Sequence, residues 1–174
     1  AFGPLEIADP PVIEDCMITR NETGDSDGGG MLLSDNLDAV INRTFVVNNH
    51  ASGYIGGIDV VGTSATISNV TVSGNTSGNG GGIGISDNGN VDITNSIVWG
   101  NTSTEVWLQS GSANVNYSNI EGGYDGVNNI NADPLFVNAS PALFTMDYGL
   151  QLGSPCIDAG TADLDQDGTD DITD

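Results

Sequence analysis

The sequence predicts an all-β protein, a parallel β-helix (solenoid) of about five coils with a C-terminal cap and an acidic loop, and three observations predict it. The segment 64–75, SATISNVTVSGN, recurs at 11–21, 39–49, 91–101 and, more loosely, at 113–123. In each copy an aliphatic residue is followed five places later by another, and three places further on the copy closes with Asn or Gly. The closing residues Asn21, Asn49, Asn75, Asn101 and Gly123 are spaced 28, 26, 26 and 22 apart, a period that marks stacked structural units. Finally, Gly, Asn, Ser and Thr abound while Pro is sparse, which suits an all-β chain with many tight turns. The 174 residues suffice for one domain with a real core.

Aligning the copies on their last residue sorts the side chains. Ile13, Ile41, Ile67, Ile93 and Val115 form one column, and Ile18, Val46, Val72, Val98 and Ile120 a second. Between them lie smaller residues, Cys16, Thr44, Val70, Ser96 and Ser118, and nearer the start of each copy Ala39, Ala65, Val91 and Ala113. Alternate residues of a strand face one side, so columns an odd number apart cannot share one face of a flat strand. A bend between the Ala39 column and the Cys16 column, or a bulge there, must absorb the extra residue. The closing asparagines are read as a ladder of structural turn residues, because Asn tolerates left-handed geometry and stacked amides bond one another.

A second apolar segment follows each copy: GGGMLL at 28–33, IGGIDV at 55–60, GGGIGI at 80–85 and EVWLQS at 105–110. Met31 with Leu33, Ile58 with Val60, Ile83 with Ile85 and Val106 with Leu108 alternate as strands with one buried face. The preceding glycines are expected to supply positive φ at a sharp corner. Like columns stack only if successive coils lie parallel, about 4.8 Å apart. Each buried Ile or Val then contributes roughly 1.5–3 kcal/mol, enough to hold the coils without a disulfide. Residues 1–131 are assigned to the coils, 132–160 to a cap over the last coil, and 161–174 to an acidic tail. The abrupt start suggests a processed or partial chain.

GGGI at 80–83 and FVVN at 45–48 resemble the GGA(I/L) and FxxN motifs of polymorphic outer-membrane-protein repeats. DPLFVN at 133–138 and YGLQLGSPCIDAGT at 148–161 resemble the closing segment of β-helix proteins of the choice-of-anchor Q kind. The resemblance implies a right-handed, pectin-lyase-like helix in a secreted or surface-anchored protein. It assigns no reaction.

Charge narrows the partners. Arg20 and Arg43 are the only Lys or Arg residues and the net charge is -22, so nucleic acid and anionic membranes are excluded and cations favoured. No apolar run reaches the roughly 20 residues a bilayer requires. The tail DLDQDGTDDITD at 163–174 has the spacing of a calcium loop. Asp163, Asp165 and Asp167 stand at positions 1, 3 and 5, Gly168 makes the turn, Thr169 offers its carbonyl at 7, and Asp171 and Asp174 stand at 9 and 12. Calcium is the predicted cofactor.

No catalytic set emerges. Lyase chemistry on an acidic polysaccharide wants a basic side chain beside a cation, and Arg20 and Arg43 sit at different column offsets. Hydrolysis wants two carboxylates facing one groove, and Asp15, Asp59 and Asp92 are expected on different outer faces as solvated residues. His50 has no nucleophile that the spacing places beside it. Phe45, Trp99 and Trp107 are expected outside the helix, where aromatics stack on sugars or anchor a protein. Asn21, Asn42, Asn69, Asn75, Asn101, Asn116 and Asn138 each open a glycosylation sequon. Cys16 and Cys156 are separated by four coil steps, roughly 20 Å, and are expected as buried, unpaired thiols. These readings point to a non-catalytic extracellular or cell-surface scaffold with a structural or adhesive role, and to a self-assembling filament or surface-layer subunit. A module that binds or cleaves polysaccharide is the alternative.

Overall fold

The computed structural model describes residues 10–24, 27–34, 38–140 and 145–162. Three parallel sheets run along its length. The first stacks Val12–Glu14, Ala39–Asn42, Ser64–Ser68, Gly89–Thr94 and Gly111–Asn116. The second stacks Met17–Thr19, Phe45–Val47, Thr71–Ser73, Ile97–Trp99 and Asn119–Ile120. The third stacks Met31–Leu33, Ile58–Val61, Ile83–Ser86 and Val106–Leu108. Four coils therefore carry all three strands and a fifth carries two, as a parallel β-helix requires.

The register is that of the sequence columns. Ile13 pairs with Ile41, Ile41 with Ile67, Ile67 with Ile93 and Ile93 with Val115. Ile18, Val46, Val72, Val98 and Ile120 pair likewise along the second sheet. Ile41, Val46, Ile58, Val60, Ile67, Val72, Ile83, Ile85, Ile93 and Val98 are wholly buried, so the aliphatic ladders are the core.

The predicted bend is a single left-handed residue per coil. Asp15, Arg43, Asn69, Asn95, Tyr117 and Asn128 occupy the corner between the first two sheets with φ of 53, 45, 56, 52, 50 and 52°. One such residue re-aims the strand and absorbs the odd spacing. After the second sheet the left-handed residues are Arg20, Asn48, Gly74 and Gly100. Each precedes a closing asparagine, so the closing asparagines are not the left-handed residues themselves. Their amides instead turn inward and bond along the stack.

Asn49 Oδ1 accepts from the backbone N–H and Nδ2 of Asn21 at 3.0 and 2.9 Å. Asn75 Oδ1 does the same for Asn49 at 2.9 and 2.9 Å, and Asn101 Oδ1 for Asn75 at 2.9 and 2.9 Å. A second ladder runs through the small column: Val70 N–H donates to Ser96 Oγ, Ser96 N–H to Ser118 Oγ, and Ser118 N–H to Asn129 Oδ1.

Gly28 has the expected positive φ, 67°, but the glycines nearest the third-sheet strands act differently. Gly30, Gly57 and Gly82 do not have positive φ. A Cβ on Gly57 would stand 2.4 Å from Gly82 O, and one on Gly82 2.1 Å from Glu105 O. They are glycine because coils touch backbone to backbone there.

Beyond Glu121 the chain adds a partial sixth rung that the column pattern does not show. Tyr117 N–H donates to Val127 O, Ile130 N–H to Ser118 O, and Ile120 N–H to Ile130 O. Ala132 closes it through Asn119. Phe136–Asn138 and Asp147–Leu150 then form an antiparallel hairpin that lies along the flank. Tyr148 accepts from Asn48 Nδ2 at 3.0 Å and meets Phe45 and Phe136 with ring centroids 6.2 and 5.1 Å apart. Thr161 is tied to Asn95 by a reciprocal pair of 2.6 and 2.8 Å. Both cysteines are free, yet Cys16 is exposed and Cys156 half-buried, against the expectation of buried thiols. Cys16 belongs to the first rung, where no earlier described coil covers it. Among the described residues no helix is long and apolar enough to cross a membrane.

Candidate functional site

The charged residues weighed for catalysis do not converge. Arg43 forks onto Asp15, at 2.8 and 2.9 Å, and onto Glu14, at 2.9 Å, which pins the first coil to the second. Its guanidinium holds the Asp15 carboxyl below the usual carboxylate range. His50 Nδ1 meets Thr76 Oγ1 at 2.8 Å, and Asp92 accepts from Asn114 Nδ2 at 3.2 Å. Among the described residues no group of three or more His, Cys, Asp or Glu side chains is arranged to hold a metal. Asp163, Asp165, Asp167, Thr169, Asp171 and Asp174 lie outside the described residues.

Asp59 departs from its reading as a solvated residue. It stands in the outward column of the third sheet, in register with Leu32 and Gly84, with Trp107 beyond. Even so it is only 3 % exposed, and its Oδ1 has no hydrogen-bond partner. The cause is Ile55, which folds over the sheet: a Cβ at Gly84 would stand 2.3 Å from the Ile55 side chain and 3.1 Å from Asp59 Oδ1. Burial first, then Asp27 and Asp87, pushes the Asp59 carboxyl up to about 6.

Between about pH 4 and 6 the folded chain keeps a proton that the unfolded chain has released, so stability falls as pH rises through that window. Above it the ionised, buried carboxylate costs about 3 kcal/mol. Asp59→Asn is therefore expected to be about 1–2 kcal/mol more stable than the parent at pH 7.5 and equal to it at pH 4. Urea unfolding at the two pH values checks this, and equal stability at pH 7.5 would show that the carboxylate is solvated.

The aromatics separate into two environments. Phe45 is half-buried under the flanking hairpin, and Trp99 is half-buried on the second sheet. Trp107 is half-buried and nearly parallel to Tyr54, with centroids 6.2 Å apart and 21° between planes. At that separation the rings are displaced sideways, so each leaves part of a face free. Tyr54, 53 % exposed, completes this outer pair. It lies outside the repeated columns, on a loop fixed by its N–H to Asp27, so no spacing announces it.

The asparagine ladder ends on a carboxylate. Asn101 donates its N–H and Nδ2 to the two oxygens of Glu105, which takes the place of a fifth asparagine. Burial pushes Glu105 up to about 7, against the two Asn101 bonds and with help from neighbouring Glu121. A cavity of about 310 Å³ opens at the corner between the first and second sheets, beneath the strap held at Thr161. Asn69, Thr71, Asn95, Tyr117, Asn128 and Cys156 reach it. Burial raises the Cys156 thiol, which keeps it protonated.

The chain matches no family model, no curated protein and no solved structure. Its site rests on geometry alone.

The sequons divide by burial. Asn75 and Asn116 are 0 and 5 % exposed, and Asn75 Nδ2 is spent on Asn101 and Val46, so the folded chain has no room for a glycan on either. Asn101 Nδ2 is bonded to Glu105 and Val72. Asn21 is exposed, while Asn42, Asn69 and Asn138 are half-buried.

Proposed function

We propose that this chain is a non-catalytic extracellular or cell-surface β-helix scaffold with a structural or adhesive role. One observation carries the reading: the polar residues that recur from coil to coil bond to neighbouring coils rather than gathering on the outside. Asn21, Asn49, Asn75 and Asn101 are spent on the amide ladder, and Thr44, Ser96 and Ser118 on the hydroxyl ladder. Incubation with neutral and acidic polysaccharides is expected to release no reducing or unsaturated ends. Release of either would make the chain an enzyme.

The resemblance at 45–48, 80–83, 133–138 and 148–161 supports placement near the choice-of-anchor Q and polymorphic outer-membrane-protein repeats. A right-handed coil follows from the strong chiral preference of parallel crossovers. Self-association is part of the proposal. The strands Val12–Glu14 and Met17–Thr19 pair on one side only among the described residues, and their core-facing Ile13 and Ile18 are half-buried where Ile41 and Val46 are wholly buried. An open rung is a template for another chain.

Calcium is the second part. The residues at 163–174 supply oxygens at loop positions 1, 3, 5, 7, 9 and 12, and the chain entering them is held at Thr161 by Asn95. Titration calorimetry is expected to find calcium binding that Asp165→Ala with Asp167→Ala abolishes; no heat with the parent protein removes the claim. Sizing with and without calcium tests assembly in the same sample. The alternative, a carbohydrate-binding or polysaccharide-cleaving module, is favoured by the offset Tyr54–Trp107 pair, a surface on which sugar rings stack.

A further inference from the structure

We propose that the corner cavity between the first and second sheets binds a neutral saccharide of one or two rings, which gives the adhesive role a sugar ligand, takes only the binding half of the alternative, and rests on that adhesive role. At about 310 Å³ the cavity lies at the small end of ligand pockets, which run from roughly 300 to 1,000 Å³. Asn95, Ser96, Ser118 and Asn119 in its lining are spent on bonds within the fold, and four other polar side chains keep capacity for a ligand. Thr71, Tyr117 and Asn128 donate no side-chain hydrogen bond among the described residues, and Asn69 spends its Nδ2 on Asn42 while its Oδ1 stays free. Ile97 and Leu150 add apolar wall. Hydroxyls, an amide and a free carbonyl oxygen beside aliphatic side chains complement a ring that carries hydroxyls on its edge and C–H groups on its faces.

Charge selects the class. Among the described residues no carboxylate and no Arg lines the cavity, so those residues offer no charge to pair with a cation, a phosphate or a uronate. The net charge of -22 repels anions from the mouth as well. The same corner makes the site repeatable in a physical sense: Asn69, Tyr117 and Asn128 are left-handed corner residues with φ of 56, 50 and 52°, a conformation that holds the side chains at the edge of the coil. The reciprocal Asn95–Thr161 pair fixes the strap beside them, so the cavity is built rather than collapsed from loops.

The test is protein-observed NMR on the full chain, titrated with glucose, galactose, N-acetylglucosamine, their β-linked disaccharides and galacturonate. At least one neutral sugar is expected to shift the amides of Asn69, Tyr117 and Asn128, and galacturonate is expected not to. Tyr117→Phe and Asn128→Ala should each weaken that binding by up to about tenfold, the loss of one hydrogen bond, while the rest of the spectrum stays folded. Trp107→Ala should leave it unchanged. Shifts confined to Tyr54 and Trp107, equal binding of galacturonate, or no shift at the corner overturns the cavity assignment and leaves the adhesive reading standing. Turnover of an added sugar overturns that reading itself.

Discussion

Replacing Asn75 with alanine is expected to destabilise the fold by about 3–5 kcal/mol. Asn75 is wholly buried at the centre of the amide ladder. Its Oδ1 accepts twice from Asn49, and its Nδ2 donates to Val46 O at 2.8 Å and to Asn101 Oδ1 at 2.9 Å. Alanine orphans two donors on Asn49, itself 1 % exposed, and each buried orphan costs about 1–3 kcal/mol. Asn75→Asp does not rescue it. A carboxylate still accepts from Asn49, but it loses both donors and buries a charge facing Val46 O and Asn101 Oδ1. Recovery of the aspartate variant on acidification is expected, because protonation removes that charge. Asn21 makes a like contact from an exposed position, so Asn21→Ala should cost under about 1 kcal/mol. Urea unfolding of the three variants checks the gradient, and equal losses at Asn21 and Asn75 would show that the ladder acts only as a set of turns.

Gly82→Ala is expected to cost at least about 3 kcal/mol, or roughly 10 °C in Tm for a chain of this size. The added Cβ meets Glu105 O at 2.1 Å and its carbonyl carbon at 2.9 Å, both fixed backbone atoms. Ile83 N–H donates to that same oxygen at 2.8 Å, so relieving the clash parts the third and fourth coils where they are bonded. It also moves Glu105, the end of the amide ladder. Gly78→Ala is the control: its Cβ would meet only Gly53 O, at 3.9 Å, and its effect should be within about 0.5 kcal/mol. Calorimetric melting of both variants separates close approach from a general loss of backbone freedom, since the second predicts similar shifts for the two glycines.

How far the site was legible differs residue by residue. Trp107 reads as outward from the alternation of Val106 and Leu108, although of that expected buried pair only Val106 is buried and Leu108, on the last strand of the third sheet, is 44 % exposed. Tyr54, the partner of Trp107, has no such signal, because it sits on a loop with no counterpart in the other coils. Asp59 was placed outward from the same alternation, and outward it is; its burial depends on Ile55 folding back over Gly84, which no period records. The partial rung at 126–132 carries no column signal because its spacing from the fifth coil is half or less of the other steps. Ser118, for example, is bonded to Asn129, 11 residues on, against 22 to Ser96.

The sequence by itself determined the stacked coil, its register and its buried ladders. A side chain that must meet its own kind one coil away has to recur at the period of the coil, and recurrence is what a sequence displays. Only the tertiary structure decided that Asn48, Gly74 and Gly100 rather than the closing asparagines carry the left-handed turn, and that Gly57 and Gly82 are glycine for want of space. It alone decided that Thr71, Tyr117 and Asn128 share a cavity under the strap held by Asn95. Those facts depend on distances between segments packed once, and a contact made once leaves no period to read.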